Sequence, residues 1–325
     1  MVNSAMLQRV VLMENLSSAE YLLREGESPQ RVLKDINLQI NKAEIWGIIG
    51  TSGFEIKLLL EIMANIRSYE SGRCVLIERG MMRLKRVILK HIFYIGNSDM
   101  LYNTMNVLEF LMLATAKWKI DVVERQEQIF ELIIKVGLGH LSLTSIGLLT
   151  REEKAVVTLV AAAYSDAQMI VFNLPEYEFD SILIEAIADI ADFIKEQEKT
   201  LIVATPICTL IEKACTHIAV LAEGRLIHQG LVEDFRYQYD NVEIIIKDED
   251  LKGTKEALRG ILSNHQVVAE DNRLLIKREA SLPSDPEMIY KKIIESGYIP
   301  QSMEKNGKTV EYALEELMRQ YDLSE

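Results

Sequence analysis

The segment IIGTSGFEIKLLLEIM, residues 48–63, runs from an apolar stretch through Gly50, Thr51, Ser52 and Gly53 into a helical pattern. A glycine turn opening a helix is the layout of a phosphate-binding loop. Backbone N–H groups and the helix N-terminus face the anion, a lysine reaches its outer oxygens, and a hydroxyl holds Mg²⁺. The residues after Gly53 do not suit that chemistry. Glu55 brings a carboxylate to the phosphate side and Ile56 is apolar. Lys57 stands one position late, about 100° around a helix axis, and Leu58 has no hydroxyl. Two other segments end where chemistry is expected. The apolar run MIVFNLP (169–175) stops at Asn173, Leu174 and Pro175, and Thr150-x-x-Glu153 in LTREE (149–153) has the spacing of a capping box.

These residues need an alternating scaffold to position them. Residues 30–50 alternate apolar and polar side chains (Val32, Ile36, Leu38, Ile40) and then become IWGIIG, which predicts a strand pair feeding a buried strand. A helix is predicted over Leu58–Met63. FYIGNSDML (93–101) reads as strand and loop, and VLEFLMLATAKW through VVERQEQIFELIIKVGL as helices. MIVFNLP is a strand closed by proline, and SILIEAIADIADFIKEQ and TLIVATP add a helix and a strand. Strand and helix alternate as in a parallel-sheet α/β domain. The character changes near Tyr237–Asn241, and the rest reads as strand, helix, hairpin, helix and a last helix. The division is therefore 1–239 and 240–325, the second a small α+β domain or an extension capping the first.

Composition limits the partners. The formal charge of −13 and pI near 5.1 argue against nucleic acid, which recruits a basic face. Cys74, Cys208 and Cys215 lack a C-x-x-C spacing and read as reduced packing thiols, with no metal site. Trp46 and Trp118 read as packing residues. No apolar run of about 18 residues is present and MVNSAMLQRV lacks a signal-peptide core, so a cytosolic chain is expected.

The order of elements over about residues 30–236 resembles the ATP-binding subunit of ABC transporters. LKDINLQINKAEIWGIIG, MNVLEFL and HIAVLAEGRLIHQGLVEDF carry the resemblance, with Gly224, Arg225 and Gly230 at the family's "GR…G" turn. The C-terminal part, ending in TVEYALEELM, looks like the appended domain of the drug- and peptide-exporter branch. The resemblance implies a P-loop NTPase-like fold with a helical subdomain at about 101–147. It also implies a transmembrane permease and a second ATP-binding subunit as partners, in a homo- or heterodimer on the inner face of the cell membrane.

The family's chemistry departs at each motif. In its GxxGxGK[ST] loop, Glu55 takes a glycine position, Ile56 the lysine, and Lys57 and Leu58 the hydroxyls. Asn173 and Leu174 stand where the family has the Mg²⁺-holding Asp and the water-polarising Glu. Its LSGGQ signature corresponds to Leu149, Thr150, Arg151, Glu152 and Glu153. Asn97 matches the Mg²⁺-sensing glutamine, Pro206 the switch histidine and Asp180 a later interface Asp, read here as a helix cap. The expectation is a pseudo-ATPase exporter subunit binding no ATP or only weak ATP, without Mg²⁺. An active divergent ATPase using Lys57, and a soluble regulatory module, are the rival readings.

Overall fold

The computed structural model describes residues 8–22, 29–77, 90–96, 103–117, 121–238, 242–248, 250–259, 261–262, 267–270, 273–277, 286–305 and 309–322. Two compact units divide at Val232/Glu233; the 239/240 boundary read from composition falls a few residues later, outside the described residues.

The first unit begins with β1 (Arg9–Ser18), the short pair β2 (Tyr21–Leu22) and β3 (Gln30–Arg31), β4 (Ile36–Asn41) and β5 (Ile45–Gly50). Helix α1 (Gly53–Met63), β6 (Tyr69–Leu76) and β7 (Ile92–Ile95) follow. The helical insert holds α2 (Val107–Ala114) and α3 (Val122–Lys135). After it come α4 (Arg151–Ala163), β8 (Met169–Asn173), α5 (Ser181–Glu196), β9 (Thr200–Ala204), α6 (Cys208–Ala214), β10 (His217–Ala222) and β11 (Arg225–Leu231). A short helix, α7 (Val232–Tyr237), follows β11 directly and, from Glu233 on, belongs to the second unit.

A six-stranded sheet, ordered β11-β10-β5-β9-β8-β7, is parallel except for β11. Buried on both faces, β5, β8 and β9 are continuous apolar runs, as central parallel strands must be. The expected pairing within residues 30–50 is corrected. β4 joins β1 and β6 in a separate antiparallel sheet, while β5 pairs with β9 and β10. The turn between them redirects the chain: Ala43 has φ 63°, and the Glu44 carboxylate accepts from the Asn41 N–H at 2.8 Å. Val32 is buried but lies outside any strand. Helix α1 is apolar almost all round, and its Ile56, Leu59 and Met63 share one core with β1, β4 and one face of the large sheet.

In the insert, Asn106 and Glu109 form a capping box on α2, and an Asn106–Ser145 bridge closes the base. Of the insert's aliphatic residues, Leu111, Ile129, Leu132 and Ile133 are core and Leu113 is exposed. Trp46 is buried and stacks on His217 with ring centroids 4.8 Å apart. Trp118 lies outside the described residues. None of the three cysteines is in a disulfide, and burial pushes the Cys74 and Cys215 thiols up to about 12.

The second unit runs β12 (Val242–Lys247), α8 (Leu251–Leu258), β13 (Val267–Glu270), β14 (Arg273–Lys277), α9 (Pro286–Glu295), β15 (Ser302–Lys305) and α10 (Val310–Asp322). Its antiparallel sheet, ordered β13-β14-β12-β15, has the β-α-β-β-α-β chain order of ferredoxin-like folds. Ile244, Ile246, Leu274 and Ile276 pack with Leu258, Ile289 and Ile293, whereas Ile245 and Leu275 meet Tyr312 of α10. The polar edge strand β15, SMEK, has no apolar alternation and was not foreseen. Buried Glu316 pairs with Arg273 at 2.8 Å and also with Arg319. Glu316→Ala removes an acceptor from both guanidinium groups, leaving Arg273 its 3.1 Å pair with Glu315, and is expected to cost roughly 1.5–3 kcal/mol, read as a lower urea midpoint of the full chain.

Candidate functional site

The candidate residues gather at the carboxyl ends of β5 and β8, the edge where open α/β sheets bind ligands. The glycine turn is formed: β5 ends at Gly50, Ser52 caps α1, and Gly53 begins it. Gly50 is required by packing. A Cβ there would lie 2.0 Å from the Leu221 carbonyl oxygen, and the Thr51 N–H donates to that oxygen at 3.2 Å. At Gly53 a Cβ would meet only Pro175, at 4.0 Å.

Glu55 does not face the loop as its sequence position suggests. Its side chain is buried and Oε2 accepts from the Gly224 N–H at 3.0 Å, holding the β10–β11 hairpin. A buried carboxylate needs donors, and the backbone N–H supplies one. Gly224 has φ 76°, and a Cβ there would lie 2.2 Å from the Val32 carbonyl oxygen; its own carbonyl accepts from Lys34 N–H at 2.8 Å. Ile56 and Leu58 are core residues. The Lys57 ammonium pairs with Glu176 at 3.6 Å, both side chains partly exposed.

Asn173 is fully buried. Its Nδ2 donates to the Lys57 carbonyl at 3.0 Å and to the Tyr94 hydroxyl at 3.1 Å, while Oδ1 has no partner among the described residues. Burial foremost, with the Glu61 and Glu176 carboxylates, pushes the Tyr94 phenol up. Leu174 is 1% exposed and Pro206 is exposed. Asp180 caps α5, accepting from Leu183 N–H at 2.8 Å. Asn97 lies outside the described residues.

Leu149 is buried, and Thr150 with Glu153 forms the expected capping box on α4: Thr150 N–H donates to Glu153 at 2.7 Å and Glu153 N–H to the Thr150 hydroxyl at 3.1 Å. Arg151 pairs with Glu152 at 2.6 Å and lies over the Tyr177 ring, 4.7 Å from its centroid. The α1 and α4 N-termini thus both meet the loop between β8 and α5. Tyr94, Glu176 and Tyr177 were missed by the sequence reading. Alternation along FYIG separates Phe93 from Tyr94 but does not say which of them meets β8.

Residues 33–173 match the family model described as ABC transporter. A solved structure of cbiO1 from Clostridium perfringens, part of the ABC transporter complex cbiONQ, superposes with TM-score 0.55 at 19% identity, covering 69% of this chain and 89% of that one. A dimeric bacterial ABC transporter cassette superposes with TM-score 0.54 at 17% identity, over 68% and 98%. The first unit has the fold of an ABC ATP-binding cassette. Among curated relatives, the methionine import ATP-binding protein MetN of Wolinella succinogenes is 26% identical over 214 residues, 64% of this chain and 71% of that protein. MetN 1 of Lactiplantibacillus plantarum is 26% identical over 215 residues, covering 65% and 61%. An uncharacterized ABC transporter ATP-binding protein of Synechocystis is 25% identical over 239 residues, covering 71% and 64%. The chain thus spans 61% to 71% of these relatives' lengths.

Two substitutions probe the cassette's buried polar bonds. Asn173→Asp sets a carboxylate oxygen against the Lys57 carbonyl and should cost about 2–3 kcal/mol. Glu55→Ala leaves the Gly224 N–H unsatisfied and should cost about 1–3 kcal/mol. Chemical denaturation of each variant beside Glu55→Gln, which keeps an acceptor, checks both.

Proposed function

We propose that this chain is a catalytically silent subunit of an ABC transporter, working with a transmembrane permease and a second ATP-binding subunit on the cytoplasmic face of the cell membrane. One observation carries the reading: at the end of β8 stand a buried leucine and an asparagine whose amide is already donated to Lys57 and Tyr94. Leucine neither accepts a proton nor orients water, and a neutral amide brings no charge to a divalent ion. The residues therefore do not fit Mg²⁺-ATP, and ATP is bound weakly or not at all. Loss of one transition-state electrostatic contact commonly costs about 3 kcal/mol, and several such positions are replaced together.

The cassette fold supports association with a permease and another cassette. No helix among the described residues is long and apolar enough to cross a membrane. Export rests on the C-terminal resemblance alone and is not part of the proposal, because the matched relatives with a stated activity are named for methionine import.

The Lys57–Glu176 ion pair favours one other reading, a divergent ATPase with the displaced lysine and a late carboxylate at the loop. Phosphate release and titration with a fluorescent ATP analogue, with and without Mg²⁺, separate the two. The silent reading expects background turnover equal in the native chain, Lys57→Ala and Glu176→Gln, and no Mg²⁺-dependent binding. Native turnover abolished by Lys57→Ala would overturn it.

A further inference from the structure

Away from the nucleotide edge, a cavity of about 530 Å³ opens between α3 of the helical insert, the end of α4 and the end of α5. That volume lies within the range of small-molecule sites. Leu132, Ala163, Tyr164 and Phe193 supply its apolar surface. The two aromatic rings sit 5.3 Å apart at 59°, so they form an angled wall. The Tyr164 hydroxyl donates to the Gln128 carbonyl at 3.1 Å, tying the end of α4 to α3 across the cavity.

The charges around this wall are unequal in what they leave free. Lys199 donates to the Ala163 and Ser165 carbonyls at 2.6 Å each, so its ammonium serves carbonyls at and just past the end of α4. Lys135, in the last turn of α3, has no side-chain hydrogen bond or ion pair among the described residues, so the lining keeps one unpaired ammonium beside its carboxylates. Glu131 and Glu196 also line the cavity, and among the described residues neither side-chain carboxylate has a hydrogen bond or an ion pair. Burial, and next the Glu131 carboxylate, push the Tyr164 phenol up to about 12, consistent with Glu131 lying beside the ring.

An aromatic wall flanked by two unpaired carboxylates is complementary to a cation carrying an apolar body. The rings attract positive charge over their faces, and the carboxylates reject anions. We propose that this cavity binds an arylalkyl-ammonium ligand, its ring on Phe193 and Tyr164 and its ammonium between Glu131 and Glu196. Such a ligand bridges the helical insert and the sheet-bearing part of the cassette. The proposal is independent of whether the cassette hydrolyses ATP.

Isothermal titration of the full chain with phenethylammonium, phenethyl alcohol and phenylacetate tests it. Saturable binding of the cation is expected, with the neutral alcohol about tenfold weaker and no binding of the anion. Glu131→Gln and Glu196→Gln, at exposed positions, should each weaken the cation about fivefold without moving the unfolding midpoint. Phe193→Leu, which keeps an apolar side chain but loses the π face, should weaken it by a similar factor. Absence of cation binding, equal binding of the three probes, or affinity unchanged in all three variants would overturn the assignment.

Discussion

The buried amide of Asn173 is the interaction on which the first unit's candidate site depends. It leaves β8, reaches the carbonyl of Lys57 in the first turns of α1, and meets the hydroxyl of Tyr94 in β7. A donor there satisfies two acceptors from a fully buried side chain, and the low local dielectric strengthens each bond. Two strands and a helix are joined by one side chain at the edge where this fold would place ligand chemistry. Glu55 does the same work on the other side of α1, carrying the helix to the β10–β11 hairpin through Gly224.

The helix N-termini follow the same logic. Orphan N–H groups that could receive an anion are taken by side chains of the protein. Ser52 caps α1, and Thr150 with Glu153 closes α4 reciprocally. The ion pairs nearby are local as well: Lys57 is drawn to Glu176, and Arg151 to Glu152 and the face of Tyr177. These partly exposed pairs contribute little to stability, since exposed ion pairs are worth about 0–1 kcal/mol. Their consequence is orientation, because they hold both helix starts to the loop that follows β8.

Much of the fold was legible in the sequence because burial imposes periodicity. Runs such as IWGIIG, MIVFN and TLIVA could only be central strands once helices alternated with them, and the Thr150–Glu153 spacing announced its own cap. Less legible was pairing. Residues 36–41 alternate as a strand in any sheet, and nothing in that alternation names β1 as the partner in place of β5. Strand β15 was missed because a short polar edge carries no apolar signal, and Tyr94 because alternation is indifferent to which face meets a neighbour.

By itself the sequence determined residue chemistry at each position: a carboxylate at Glu55, an amide at Asn173, a leucine at Leu174, and no carboxylate beside them at the end of β8. Those identities follow from the chain alone, before any folding is considered. Only the tertiary structure decided what the groups do. Glu55 turns into the protein because a glycine N–H 169 residues away needs an acceptor, and Asn173 donates because a carbonyl of α1 arrives within 3.0 Å. Gly50 is glycine-sized because β10 passes 2.0 Å from where its Cβ would stand, a steric demand set by strand order. Local pattern reports what a residue can offer; packing between distant segments determines which offer is taken up, since burial leaves unpaired polar groups too costly to keep.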